Sequence, residues 1–561
     1  MKGKKKVLSL ALAGMMLFVT ACGDGADTNG TDASGNQAAG GNSGEQVFNT
    51  LINSEPTTLD AQKGSDVYGN TIINNITEPL LRMAENEDGS NEVIPAAAES
   101  YEVSEDGLTY TFKLREGMKW EDGEALTAND FEYGIKRAAD PETGSESAFL
   151  LDPIKNFNDV NSGKLPVEEL GVKAIDESTL EVTLDAPASY FITLVPFRVM
   201  FPARQDVVEE HGERYGAEAE SALSCGPFKL AEWTHNSRLT LEKNEEYWDA
   251  ENVKLQTVNI PIMTDTNTVM NSFQVGEVDA VRTNIPEWIS KFEGIEEVES
   301  KPVSLPSVDY LSVNHKDELL SNDKVRAAIN LAIDREGISS LLSDGFNPPA
   351  QGWVPNGIQQ NGKEFRDEAG DSYKELREAN EDPKALLIEG LKELGLGEDP
   401  SKVDLTIIYT NSPIVKMTNE YIQQSLNTTL GLNVKLETME WPILAGRIQK
   451  GDYQLGYLAW TADYNDASAM LSLFKSNANA VNTGWANEDY DKLIDEAAQE
   501  TDPTKAFELY KEADKVLVDE SVIFPLIGAS TNQYYYDYVK GMATSSFTTT
   551  GFKTIDTSAR P

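Results

Sequence analysis

Apolar and polar positions alternate along this chain with two different periods. Leu108, Tyr110, Phe112 and Leu114 alternate with Thr109, Thr111 and Lys113, the pattern of a half-buried strand. Asp106-Gly107 just before it is a hairpin-turn signal. Leu180, Val182 and Leu184 repeat the alternation, and Thr127-Ala-Asn-Asp130 ahead of Phe131 and Ile135 predicts a helix opened by a capping box. Residues from about 80 to 205 therefore read as a strand-rich unit. Later in the chain, Val325, Ala328, Ile329, Ala332 and Ile333 follow a helical period, with Ser321 and Asn322 available as caps. Residues 404–409 predict a strand and 413–430 a helix with Ile414, Met417, Tyr421, Ile422 and Leu426 facing inward. Gly431 suits the position after that helix, and Val434 and Leu436 start another strand. This βαβ unit implies parallel strands with a right-handed crossover and places the chain in the α/β class. Residues 268–282 and 443–458 both read helix, glycine, acidic residue, strand. Such an echo fits two lobes of similar construction separated by a cleft.

The N-terminus carries a different pattern. Met1–Lys6 is basic and Val7–Phe18 is an apolar run of 12 residues, shorter than the roughly 20 a spanning helix needs. It reads as a secretory signal covering residues 1–21. Its end, Val19-Thr20-Ala21-Cys22, resembles a bacterial lipobox, in which the cysteine after the cut is lipidated. Residues 23–44 hold no large apolar side chain, so the stretch from Cys22 to residue 45 reads as a lipidated cysteine and a flexible tether. The expected address is the outer face of the cell membrane of a bacterium without an outer membrane (Gram-positive), with the membrane reached through the lipid only.

Charge and chemistry narrow the choice further. The full chain has 93 acidic against 47 basic residues and a formal charge of −46. Without the four lysines of the signal, 43 bases face the same 93 acids, a formal charge of −50. Neutralising phosphates requires clustered Lys and Arg, so nucleic acid is excluded as a partner, and adhesion to anionic lipid is disfavoured. With Cys22 lipidated, Cys225 is left without a disulfide partner and is expected to be a small buried residue. His211, His235 and His315 are far apart in sequence and are expected at the surface. No G-x-S-x-G, H-E-x-x-H, Walker loop or C-x-x-C occurs. The sequence thus predicts no catalytic residue, no metal site and no cofactor.

Tyr110 to Asp140 resembles the signature of the family 5 extracellular solute-binding proteins of ABC importers, the peptide- and nickel-binding group. Further matching blocks follow in family order. They are residues 55–60, 226–248, 308–337, 453–466 and 482–496, then Pro525-Leu526. The resemblance implies a two-lobed periplasmic-binding-protein-like fold (type II, large cluster C) with an extra strand-rich domain. Lobe I would take residues 46–77, 206–306 and 530–561. The extra domain would take 78–205 and lobe II 307–529. It also implies a monomer that captures oligopeptides in the cleft and delivers them to ABC permease subunits driven by cytoplasmic ATPases.

In oligopeptide-binding members of the family, the Asp of a W-x-x-D-Y segment holds the peptide α-ammonium. By the resemblance that residue is Asp463, in Trp460-Thr461-Ala462-Asp463-Tyr464; read alone, it is a loop-capping aspartate. The resemblance further implies backbone pairing from Ala459 and Thr461 and a pocket wall from Trp460. It implies an opposite strand edge at Ser65, Asp66 and Val67, a cleft tyrosine at Tyr133 and a cleft asparagine at Asn482. Val281, Arg282 and Thr283 would line the same cleft. The chain departs from the family pattern at Cys225, where glycine is usual, and at Ala467, where proline often stands. Two other readings stay open. One is a same-fold receptor for another solute, such as a peptide pheromone, nickel, haem or an oligosaccharide. The other is a secreted hydrolase.

Overall fold

A computed structural model describes residues 46–561, apart from 65, 344, 477, 479, 480, 482 and the side chain of 343. The expected signal, Cys22 and tether lie outside the described residues. The described chain is a mixed α/β body built around a six-stranded sheet. Its spine is a pair of long antiparallel strands, Val298–Val313 and Ile523–Tyr536. Toward one end of the pair, Val298–Leu305 lies against Ala529–Tyr536, and the short strand Ala280–Thr283 adds to Ile523–Tyr536. Toward the other end, Val308–Ser312 lies against Ile523–Gly528. There Leu455–Thr461 adds to Val298–Val313 and is followed by Asp404–Thr410 and Asn433–Met439.

The register of the long pair slips between Leu305 and Val308, so Pro306 and Ser307 have no opposite residues on Ile523–Tyr536. Pro306 cannot donate to a ladder, and such a residue is tolerated at a bulge. Gly357, at φ +91°, packs against this crossing, where a Cβ would come within 3.0 Å of the Ser304 carbonyl oxygen. The internal echo is real in three dimensions. Helix Thr266–Gln274, Gly276 and strand Ala280–Thr283 flank one end of the pair, and helix Trp441–Lys450, Gly451 and strand Leu455–Thr461 flank the other.

The predicted βαβ unit forms as Asp404–Thr410, helix Pro413–Thr429 and the parallel strand Asn433–Met439. Ile422 and Leu426 are buried with Leu311, Ile329, Leu405 and Ile407. The inward placement of Ile414 and Met417 is corrected, since they are 62% and 39% exposed. The first turns of the helix turn Val415, Thr418 and Asn419 inward instead. A second sheet orders Ala98–Val103, Thr109–Leu114, Thr179–Thr183 and Val172–Asp176, all antiparallel. Helix Ala128–Ala139 buries Phe131 and Ile135 in the same core, and its predicted capping residues meet, with Thr127 N donating to Asp130 Oδ2 at 2.8 Å. A third sheet holds Val47–Asn49, Thr257–Pro261, Arg238–Lys243 and Phe228–Thr234. Cys225 is buried as expected, its Sγ accepting from Glu78 N. His315 is not a surface residue. It is half-buried, its Nε2 lies 3.0 Å from the Val522 carbonyl oxygen, and burial pushes its pKa down to about 4.

Two buried ion pairs tie segments together. Arg82 and Glu78 meet at 2.7 Å with almost no exposure. Arg82 also donates to the carbonyls of Asn74, Thr77 and Thr549, and Glu78 accepts from Tyr247 and Trp248. Arg366 and Asp514 form the second pair. Asp514 also accepts from the backbone of Trp353 and Val354 and from Ser372. The Trp353 ring then packs edge-on against Tyr310 of a long strand, and its indole N–H donates to Met470 O. Removing one member of such a pair strands the other charge in the interior. Asp514→Ala is therefore expected to remove about 3–5 kcal/mol of stability, measured as a fall in the urea midpoint; a loss below about 1 kcal/mol, the size of an exposed pair, would refute the structural role.

Candidate functional site

Strand Leu455–Thr461 is covered on one edge and mostly open on the other. Toward Asp404–Thr410 only Leu455 and Gly456 are paired, with Ile407 and Ile408. Toward Val298–Val313 it is paired throughout, and Ala462 N donates to Pro306 O at 2.8 Å. In an antiparallel ladder the hydrogen-bonded pairs alternate. That bond therefore turns the N–H and C=O of Trp460 and Leu458 toward Val308 and Tyr310. It turns those of Ala459 and Thr461 toward the open edge. Both residues are exposed. Trp460 is half-buried against the core beneath, and its indole N–H is buried with no acceptor.

Asp463 stands two residues beyond this strand. The segment after it is held by its own polar groups. Asn465 accepts from Gln359 N, while Asp466 accepts from Gln360 Nε2 and from Ser468 N. Asp466 thus does the loop capping that Asp463 could have done. Asp463 itself is half-buried and makes no hydrogen bond or ion pair to any described residue. Burial pushes its carboxyl above the usual aspartate value, and the Arg198 guanidinium acts in the opposite sense. Tyr464, the next residue, stacks on Tyr190 at 5.5 Å between ring centroids. This stack brings residues 190–198 against the anchor segment.

Arg198 was not singled out in the sequence, and it lies at the meeting point. Burial lowers its pKa, while the carboxylates of Asp66, Glu146 and Asp463 act to raise it. Its Nη2 donates to Ser147 Oγ at 2.7 Å, and its Nε is buried without an acceptor. The one available signal was a lone charge inside an apolar run, Val195-Pro-Phe-Arg198-Val-Met-Phe201. An arginine in such a run is buried or functional.

The residues expected on the opposite side are placed differently. Asp66 and Val67 do not form a strand edge. Asp66 is the N-cap of helix Val67–Ile76, where Gly69 N donates to its carboxylate. Burial works to raise the Asp66 carboxyl, but hydrogen bonds from Thr57, Gly69 and the neighbouring backbone outweigh it and hold the pKa low. Val67 is 69% exposed. With Val281 and Arg282 it lines one hollow of about 600 Å³, so these three share a surface. Thr283 is buried next to them in strand Ala280–Thr283. Tyr133 is half-buried in helix Ala128–Ala139. It lines a separate shallow recess with Asn129, Gln205 and Glu209, because helix Ala128–Ala139 turns that face toward residues 203–209. Ser65 and Asn482 lie outside the described residues. Ala467 is buried, its N–H donating to Gln360 Oε1. A larger hollow of about 990 Å³, lined by Asp334, Arg335, Tyr373 and Tyr421, contains none of the expected residues. No group of His, Cys, Asp and Glu that could hold a metal occurs among the described residues.

The mostly open edge of Leu455–Thr461 and the half-buried carboxylate of Asp463 thus lie together at one end of the long strand pair. The family profile for "Bacterial extracellular solute-binding proteins, family 5 Middle" matches residues 92–482, and the chain belongs to that family. It is 34% identical to the dipeptide-binding protein DppE of Bacillus subtilis (strain 168), over 97% of each chain. It is 31% identical to the oligopeptide-binding protein OppA of the same strain, over 94% of each. Among solved structures, Listeria monocytogenes OppA bound to peptide is similar at a TM-score of 0.68 and 32% identity. That match covers 91% of this chain and 99% of the other.

The raised carboxyl of Asp463 has a thermodynamic consequence. A carboxyl that holds its proton more tightly folded than unfolded subtracts stability once pH exceeds the ordinary carboxylate range. Asp463→Asn is expected to melt at a higher temperature than the parent at neutral pH without ligand. The advantage should shrink as pH falls through the raised folded value toward the ordinary aspartate value and vanish below it. A lower melting temperature at neutral pH would show that the carboxylate is structurally satisfied.

Proposed function

We propose that the protein captures extracellular oligopeptides between its two lobes and hands them to the permease of an ABC importer. The observation that carries this reading is Asp463, a partly buried carboxylate without a partner at the end of an open strand edge. An extended peptide has free backbone donors and acceptors, and the outward groups of Ala459 and Thr461 match them by strand addition. The α-ammonium of the same peptide supplies the charge that Asp463 lacks, and a charge-assisted bond fixes register and direction. Trp460 walls the first side-chain pocket. Val67, Val281 and Arg282, which share one hollow, contribute from the facing lobe. The names of the relatives, dipeptide- and oligopeptide-binding, support the same ligand class.

The lobes of this reading are residues 46–77, 206–306 and 530–561 on one side and 307–529 on the other, with 78–205 as the extra domain. They meet at the slip between Leu305 and Val308, the place where a hinge closes most easily. Cys22 carries the lipid and the chain up to residue 45 is the tether. Capture needs one copy of the chain and no chemical step, so bound peptides leave intact.

Titration calorimetry tests the anchor. Asp463→Ala is expected to weaken free-amine peptides by about 30-fold or more, the scale of a truncated buried charge pair. N-acetylation of the peptide should weaken binding to the parent protein by a similar factor. Unchanged affinity in the variant would remove Asp463 from the site, and peptide turnover detected by mass spectrometry would replace the receptor reading with a hydrolase. For the anchor to the membrane, Cys22→Ser is expected to move the protein from the membrane fraction into the medium of its host. Retention in the membrane fraction would exclude the lipid.

A further inference from the structure

Resting on the peptide reading above, the surroundings of Asp463 carry a second recognition element. Arg198 reaches the anchor region from the extra domain, positioned by the stack of Tyr190 on Tyr464. Three carboxylates act on its charge, and none of them forms an ion pair with it. Asp66 is committed to capping its helix, and Glu146 has a partner of its own. Asp463 is claimed by the ligand ammonium. One N–H of Nη2 goes to Ser147, and among the described residues the buried Nε has no acceptor. A buried guanidinium with an unmet donor is unfavourable until an acceptor arrives. Burial lowers its pKa, which agrees with a charge short of compensation.

The ligand group that can reach it follows from strand geometry. If the peptide backbone pairs with Ala459 and Thr461, its main chain runs along the open edge, while its side chains leave the sheet on either face. A carboxylate on the side chain of the first residue lies only three or four bonds from the ammonium held by Asp463. The peptide C-terminus is carried away along the edge. We propose that Arg198 is a specificity-determining residue that receives the side-chain carboxylate of an acidic first residue, so that Asp463 and Arg198 together read a free amine with an acid beside it. Arginine suits the task, since its planar fork matches a carboxylate and keeps its charge when buried.

Calorimetry with four synthetic peptides on the full-length protein tests this: Glu-Ala-Ala and Gln-Ala-Ala, each with a free and an amidated C-terminus. The parent protein is expected to bind the Glu peptides about tenfold or more tightly than the Gln peptides, the size of one charged hydrogen bond. Arg198→Gln should erase that difference and leave the Gln peptides within about threefold of the parent, a shift below one such bond. Arg198→Lys, which keeps the charge and loses the fork, should retain part of the preference and guards against misfolding of the first variant. Equal binding of Glu and Gln peptides by the parent would overturn the inference. So would a variant that shifts all four peptides equally, which would make Arg198 only a counter-charge to Asp463. A variant effect confined to the free C-terminus would assign Arg198 to the terminal carboxylate instead and also overturn it. Failure of the parent to bind any of the four would sink the peptide reading itself, a result distinct from binding without preference.

Discussion

The central sheet of this structure hangs on two long strands. Val298–Val313 and Ile523–Tyr536 pair along most of their length, so one hydrogen-bonded ribbon serves both ends of the sheet. Backbone bonds inside a sheet are obligatory, because an unpaired buried N–H or C=O is costly. The ribbon therefore cannot be parted to open a cleft. Its ladder is broken at Pro306 and Ser307 and slips again between Asp309 and Tyr310, and these are the places where it can bend with least loss. The open edge of Leu455–Thr461 begins at the same height, since Ala462 donates to Pro306 and Thr461 lies opposite Ser307. The break in register and the open edge thus lie side by side.

Polar satisfaction separates scaffold from site. In the scaffold the buried charges are closed systems. Arg82 has Glu78 and three carbonyls, while Asp514 has Arg366, two backbone N–H groups and Ser372. Such networks hold segments in one arrangement when every member is satisfied. Around residues 459–463 the rule is suspended. The Trp460 indole N–H and the Arg198 Nε have no acceptor, and the Asp463 carboxylate has no donor. Neutral buried groups elsewhere, the Trp120 indole and the Tyr510 hydroxyl among them, also lack partners, so what sets this place apart is the half-buried carboxylate of Asp463.

Much of this was legible in the sequence, and the gaps have physical causes. Strands at Thr109–Leu114 and Asp404–Thr410 and helices at Ala128–Ala139 and Pro413–Thr429 followed from period and capping residues, which are local properties. The family fold followed from ordered motif blocks. Burial within an element was harder. Ile414 and Met417 fit an inward stripe by period, but the first turns of their helix bury Val415, Thr418 and Asn419 instead. His315 fits a polar surface residue, yet it lies under Val522. Asp66 and Val67 were expected on a strand, whereas the Asp that caps a helix needs only the three residues after it. Asp463 was legible through its motif alone. Arg198 was invisible because its meaning depends on Tyr190 meeting Tyr464 across 274 positions of sequence.

The division between edge and flanks also explains how one fold can serve different peptide ligands. In the proposed binding mode, backbone pairing with Ala459 and Thr461 is blind to side chains, so the edge alone would accept any extended peptide with a free amine. Selectivity must then come from groups off the edge, and these can change without disturbing the ribbon. Arg198 belongs to the region between the extra domain and the anchor, where its replacement would touch no strand pairing. Asp463, in contrast, is fixed to the strand that flanks the ribbon break. General affinity is therefore built into the sheet, and discrimination is assigned to side chains carried by its neighbours. A change of ligand preference within this architecture needs only such neighbours to vary.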